Sequence, residues 1–151
     1  MLSAAAELAE FMTQAKVDYL MPLVVEAVGA DPLQQLREVD HLQAFYVEAT
    51  PADTSVIWMV TPRLLTRLEL NTRSEAMTVH IPLIRVRRVQ ADKLGGVQRT
   101  IIEFDADRTT VLEVDSFTRF VPSTYTLELP SANANVGRLI EFTRKLAQAL
   151  P

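Results

Sequence analysis

Arginine crowding is the first sign of chemistry in this chain. Arg85, Arg87 and Arg88 fall within four residues, and Lys93 and Arg99 follow closely. A guanidinium presents a planar fork of N–H donors, so such a group could hold an acidic peptide, a phosphate or a nucleic-acid backbone. The plainer alternative is a solvated strand face, with the arginines paired to Glu103 or to the acidic N-terminal part of the chain. Nucleic acid is not the expected partner. Exposed aromatic residues for base stacking are missing beside the arginines, and the pI is about 5.2.

The carboxylates and histidines make a weaker case. Asp105-Ala106-Asp107 has the form of a cation-binding DxD, but Asp is also ordinary turn chemistry and no further ligands are spaced to complete a site. Glu103, Glu113 and Asp115 could meet across one hairpin, though a solvated sheet face would not tune them into an acid/base couple. His41 and His80 are the only histidines, and neither has a partner at ligand spacing. No serine sits in a nucleophile elbow, and four glycines leave no phosphate-cradling loop. The expectation is a protein that is not an enzyme and takes neither metal nor cofactor.

Composition sets the frame for these groups. The chain has 151 residues, 48% apolar and 23% charged, enough for one domain with one core. Cysteine is absent, which removes disulfides and thiol chemistry and fits a reducing, cytoplasmic setting. The first ten residues lack a basic region and carry Glu7 and Glu10, unlike a secretory signal. The longest apolar run, residues 19–25, is far short of the ~20 residues that span a bilayer. Charge is segregated along the chain. Residues 1–56 carry two basic groups against nine acids, a net of −7, and residues 57–101 carry eight against three, a net of +5. These halves could neutralise one another or present two faces to partners.

Helical patterning fills the N-terminal third. Leu8, Phe11, Met12, Ala15 and Tyr19 lie at spacings of three and four, and Pro22 should end or kink that helix. Two shorter helices are expected over residues 22–28 and 32–38. The apolar side chains here, among them Phe11, Met12, Tyr19, Leu20, Leu23 and Val24, exceed what one short helix needs to dock on a small sheet. They could complete the core, or serve self-association or a protein partner. A membrane-surface helix is not expected, because its flanks are acidic.

Strand patterning takes over after residue 40. A first strand runs to the turn at 50–53, and residues 55–61 form a nearly continuous apolar run, the mark of a strand buried on both faces. Residues 64–70 alternate, with Leu64, Thr66 and Leu68 on one face and Leu65, Arg67 and Glu69 on the other, as in a half-buried strand. A strand from residue 76 bends at Pro82 and resumes with Ile84 and Val86 inward, and a bulge at Arg88 would return Val89 to the core. Gly95-Gly96 signals a hairpin turn. Strands follow near 97–104, 112–114 and 124–129. A closing helix over about 135–150 carries the stripe Val136, Leu139, Ile140, Thr143, Leu146, Ala147 and Leu150. Seven strands with no helical crossovers imply antiparallel pairing.

Two segments carry a family resemblance: Val60-Thr61-Pro62-Arg63-Leu64-Leu65, and Ile81-Pro82-Leu83-Ile84-Arg85-Val86-Arg87-Arg88-Val89. Followed by the diglycine hairpin and the terminal helix, they resemble the bacterial pleckstrin-homology-like (PH-like) domains over about residues 42–150. The resemblance implies a seven-stranded bent barrel plugged by its C-terminal helix, and binding rather than catalysis. Relatives that hold phosphoinositides use basic residues around the loop joining the first two strands. Here that loop, residues 49–54, carries Asp53 and no basic residue, so lipid is not the expected ligand.

The fold expected is therefore α+β: a seven-stranded, bent antiparallel β-barrel or sandwich (PH-like) capped by a C-terminal helix. Residues 1–40 would be an N-terminal helical extension and 41–151 the domain proper. The function expected is a protein-interaction or scaffolding module that self-associates or binds a protein partner. The alternative is a peripheral membrane or small-ligand binder using the barrel mouth. The surfaces expected to matter are Arg85, Arg87, Arg88, Lys93 and Arg99, and the helical Phe11, Met12, Tyr19, Leu20, Leu23 and Val24.

Overall fold

The apolar run at residues 55–61 behaves as its composition demands. In the computed structural model, which describes residues 7, 10, 13, 42–49, 54–71, 76–105, 113–114 and 123–151, it becomes strand β2 (Thr54–Val60). Val56, Ile57, Trp58, Met59 and Val60 are all buried, so both faces of this strand are covered. Strand β1 (Ala44–Ala49) pairs with it on one side and β3 (Leu64–Asn71) on the other, both antiparallel. Strand β4 (Ala76–Pro82) continues the meander, and a two-residue strand β7 (Glu113–Val114) joins its edge.

A second sheet holds β5 (Val86–Leu94), β6 (Val97–Phe104) and β8 (Thr124–Pro130), with β6 central. Gly95 and Gly96 make the two-residue turn between β5 and β6 with φ of 60° and 76°. Positive φ at both positions matches the twist of a tight hairpin and is reached by glycine without penalty. The expected bulge is present as a register shift between Val86 and Arg88.

Four expectations need correction. Pairing among the described strands ends at β1 and β7 in one sheet and at β5 and β8 in the other, so the sheets form a sandwich and not a closed barrel. The single bent strand expected over residues 76–89 is two strands in different sheets. Pro82 lacks the N–H to continue a ladder, and a 3₁₀ turn at Leu83–Arg85 carries the chain across. That turn also reverses the expected facing: Leu83 is buried at 3% exposure and Ile84 projects at 73%. β3 is not half-buried either, since Leu65, Thr66 and Leu68 are all fully covered.

The core lies between the sheets. Tyr46, Trp58, Val60, Leu65 and Ile81 from the first meet Ile102, Phe104, Leu127 and Leu129 from the second. The C-terminal helix (Val136–Ala149) closes this space with Leu139, Phe142 and Leu146. The stripe expected on the helix is rotated: Phe142 points inward, whereas Ile140 and Ala147 are exposed. The buried Thr143 is satisfied by donating to the Leu139 carbonyl at 2.8 Å, which leaves Thr100 to donate to the Thr143 oxygen at 2.7 Å. Of the N-terminal third, Glu7, Glu10 and Thr13 are described and are helical. The expected interface residues Phe11, Met12, Tyr19, Leu20, Leu23 and Val24 lie outside the described residues.

Candidate functional site

The two segments that carried the resemblance meet in space. Antiparallel pairing places Leu64 opposite Pro82, so the start of β3 and the end of β4 share one corner of the sandwich. Backbone hydrogen bonds fix that corner. The Leu83 N–H donates to the Arg63 carbonyl at 2.9 Å, the Asp105 N–H donates to the Arg85 carbonyl at 3.0 Å, and the Thr61 N–H donates to the Leu64 carbonyl at 3.0 Å. The last turn of the helix supplies one wall. The result is a groove of about 580 Å³ lined by Pro62, Arg63, Leu64, Pro82, Leu83, Ile84, Arg85, Ala149 and Pro151. Its floor is apolar, its charged side chains among the described residues are Arg63 and Arg85, and Ile84 stands at its rim in solvent. Such a surface can hold an apolar side chain and an anion together.

The expected basic group is dispersed by the structure. Arg88 and Arg99 point to the outer face of the second sheet and are matched there. Arg88 Nη2 lies 2.8 Å from Glu103 Oε1, and Arg99 makes two bonds to Asp92, at 3.0 and 2.7 Å. That fork holds the Asp92 carboxyl below the usual carboxylate range and raises Arg99. Arg88 thus has the Glu103 partner that the plainer reading named, and Arg99 has a cross-strand partner, Asp92, that it did not. Arg85 belongs to the corner groove, with Arg87 two residues beyond, and Lys93 is exposed at the hairpin end of β5. Among the described residues no carboxylate pairs with Arg85, Arg87, Lys93 or Arg63.

A charged cluster absent from the sequence reading occupies the space between the sheets. Arg67 lies between the rings of Trp58, 5.7 Å away, and Tyr125, 5.1 Å away. Trp58 and Tyr125 meet edge to face at 5.0 Å, and Phe104 stacks on Tyr125 at 5.8 Å. Glu48 accepts the Trp58 indole N–H at 2.9 Å. Burial pushes the Glu48 carboxyl above its ordinary range, and the indole and the Arg67 charge pull it back only in part. Burial also raises Tyr125, and with the Glu48 charge it takes Tyr46 to about 12. Aromatic faces can stabilise a desolvated guanidinium by ~2 kcal/mol, which explains how Arg67 tolerates this position. Arg67, Glu48 and Tyr125 are only half-buried, and Arg67 Nε is buried without a hydrogen-bond partner among the described residues.

The remaining candidates do not converge. Glu103 is in the second sheet, whereas Glu113 pairs opposite His80 in the first, so the two do not share a hairpin. Asp105 is exposed beside the groove corner, and Asp107 and Asp115 lie outside the described residues. His80 Nδ1 contacts the Thr66 hydroxyl at 3.1 Å. Among the described residues no three His, Asp or Glu side chains are grouped to hold a metal, and no helix is long and apolar enough to cross a membrane. Sequence reasoning missed the groove because its residues come from three elements. Pro62 and Pro82 were the available signal: each interrupts a strand pattern, and the register sets Pro82 opposite Leu64, two residues from Pro62. No protein-family model, curated protein or solved structure matches the chain.

Proposed function

We propose that this chain is a non-enzymatic, PH-like interaction module that binds a protein partner through the groove at the β3–β4 corner. The observation that carries the reading is the groove itself: concave, apolar at its floor, rimmed by arginines, and fixed by backbone hydrogen bonds. Its lining offers no general acid, no base and no nucleophile, so it can hold a molecule but has nothing with which to transform one. The order of a four-strand meander, a three-strand sheet and a closing helix supports the PH-like assignment. The absence of cysteine supports a cytoplasmic setting.

A photo-crosslinking residue placed at position 84 of the full chain, expressed in the source cell, tests this. A discrete protein adduct that is not formed from position 140, which is also exposed, is the expected result. Adducts to lipid alone, or no adduct from position 84, would contradict it.

A further inference from the structure

We infer that the corner groove recognises an acidic segment of a partner protein, one in which an apolar side chain is bracketed by carboxylates. The inference rests on reading the groove as a protein-binding surface, and it adds the chemistry of the occupant.

Charge complementarity is the first argument. The second sheet neutralises its own outward arginines, Arg88 with Glu103 and Arg99 with Asp92. At the groove that matching stops: among the described residues Arg63 and Arg85, and Arg87 two residues beyond, have no carboxylate partner, and no Asp or Glu side chain is among the lining residues. The helix ends beside them, and its C-terminal dipole amounts to about half a negative charge. The two lining guanidinium groups, with Arg87 two residues beyond, still outweigh that dipole and the Asp105 carboxyl beside the corner, so the local field favours anions. A guanidinium binds a carboxylate through a two-pronged, charge-assisted contact, and it has no counterpart for a basic segment.

Shape supplies the second argument. The groove volume of about 580 Å³ falls within the range of roughly 300–1,000 Å³ that binding pockets occupy. A recess with Leu83 at its base and Ile84 at its rim suits an inserted side chain better than a flat bilayer surface.

Backbone chemistry supplies the third. Pro62 and Pro82 have no N–H to donate, and the Arg63 carbonyl, Leu83 N–H and Arg85 carbonyl are already engaged. Adding a strand by a hydrogen-bonded ladder is therefore disfavoured here. The partner must be held by side chains, so the pattern of apolar and acidic residues is what is recognised.

The test is selection of a displayed library of random 16-residue peptides on the full-length protein, with the selected peptides then measured by fluorescence anisotropy. Enriched peptides should combine apolar residues with Asp or Glu. Ile84→Ser and Arg63→Glu/Arg85→Glu should each weaken them at least about tenfold. Ile140→Ser should leave them unchanged, and binding should fall as salt is raised. These side chains are exposed, and the fluorescence of buried Trp58 verifies the fold of each variant. If the enriched peptides are apolar but neutral, and Ile84→Ser still abolishes binding, the acidic occupant is wrong while the protein-binding groove stands. If no peptide is enriched, or no groove substitution matters, both fall. Two side experiments complete the comparison: Ile84-dependent binding to vesicles containing phosphatidylserine, or an Ile84-dependent dimer in sedimentation, would overturn the inference in favour of a membrane or of a second copy.

Discussion

Leu83→Ala and Ile84→Ala test the 3₁₀ corner directly, because the turn sends these neighbours in opposite directions. Leu83 is 3% exposed and packs into the inter-sheet core with Ile81 and Val86. Truncating it removes most of a buried side chain and leaves a cavity, at a cost of about 2–5 kcal/mol. Ile84 is 73% exposed and has little buried area to lose, so its truncation should stay within about 0.5 kcal/mol. For a domain of this length each kcal/mol moves the melting temperature by roughly 2–4 °C, so Leu83→Ala should melt about 4–20 °C lower. Urea unfolding followed by Trp58, the one tryptophan, gives both values from a probe inside the core. The slope with urea should be unchanged in both variants, so that the midpoint alone reports stability. A loss at Ile84 equal to or greater than that at Leu83 would refute the corner, since it would mean that β4 continues unbroken with Ile84 inward.

Two further outcomes are expected. Folding raises the Glu48 pKa, so its neutral form is favoured in the native state; that stabilisation is complete below the unfolded carboxylate value and is lost as pH rises through the raised native one. Glu48→Gln, which stays neutral and can still accept the Trp58 N–H, should melt higher than the parent at pH 7, and the gap should close on acidification. A gap that does not change with pH would remove burial as the cause. Gly96→Ala should cost about 1–2 kcal/mol, because φ of 76° is strained for any side chain while the space around the added carbon is open. Gly96→Asn should recover part of that loss in a thermal melt, since Asn tolerates this backbone region better.

What could be read from the chain depended on whether its cause was local. The burial of β2 on both faces followed from five consecutive apolar residues, and the β5–β6 turn from a glycine pair. The bulge near Arg88 followed from a break in alternation. Arg67 shows the opposite case. Its alternation with Thr66 and Leu68 correctly separates two faces, but period two does not say whether the second face meets water. The answer came from Tyr125, 58 positions away along the chain, whose ring closes over the guanidinium from the other sheet. The same limit hid the split at residue 82, since a bent strand and two strands in different sheets have one local pattern. The groove was illegible for a related reason: Arg63 and Arg85 look like ordinary surface charges until register brings their strands together.

The closing helix has a further consequence for how the protein is made. Each sheet is built mainly from neighbours in the chain, so β1 to β4 can pair in turn as they are synthesised, and β5 and β6 can zip from their glycine turn. The inter-sheet core cannot be sealed then, because Leu139, Phe142 and Leu146 leave the ribosome after every strand. Until they do, the nascent chain carries two preformed sheets with apolar inner faces open to water, the state in which aggregation and chaperone capture compete with folding. A released chain that ends just before residue 136 should therefore hold native-like strands with accessible inner faces, and the helix would act as the step that commits the domain to its final form.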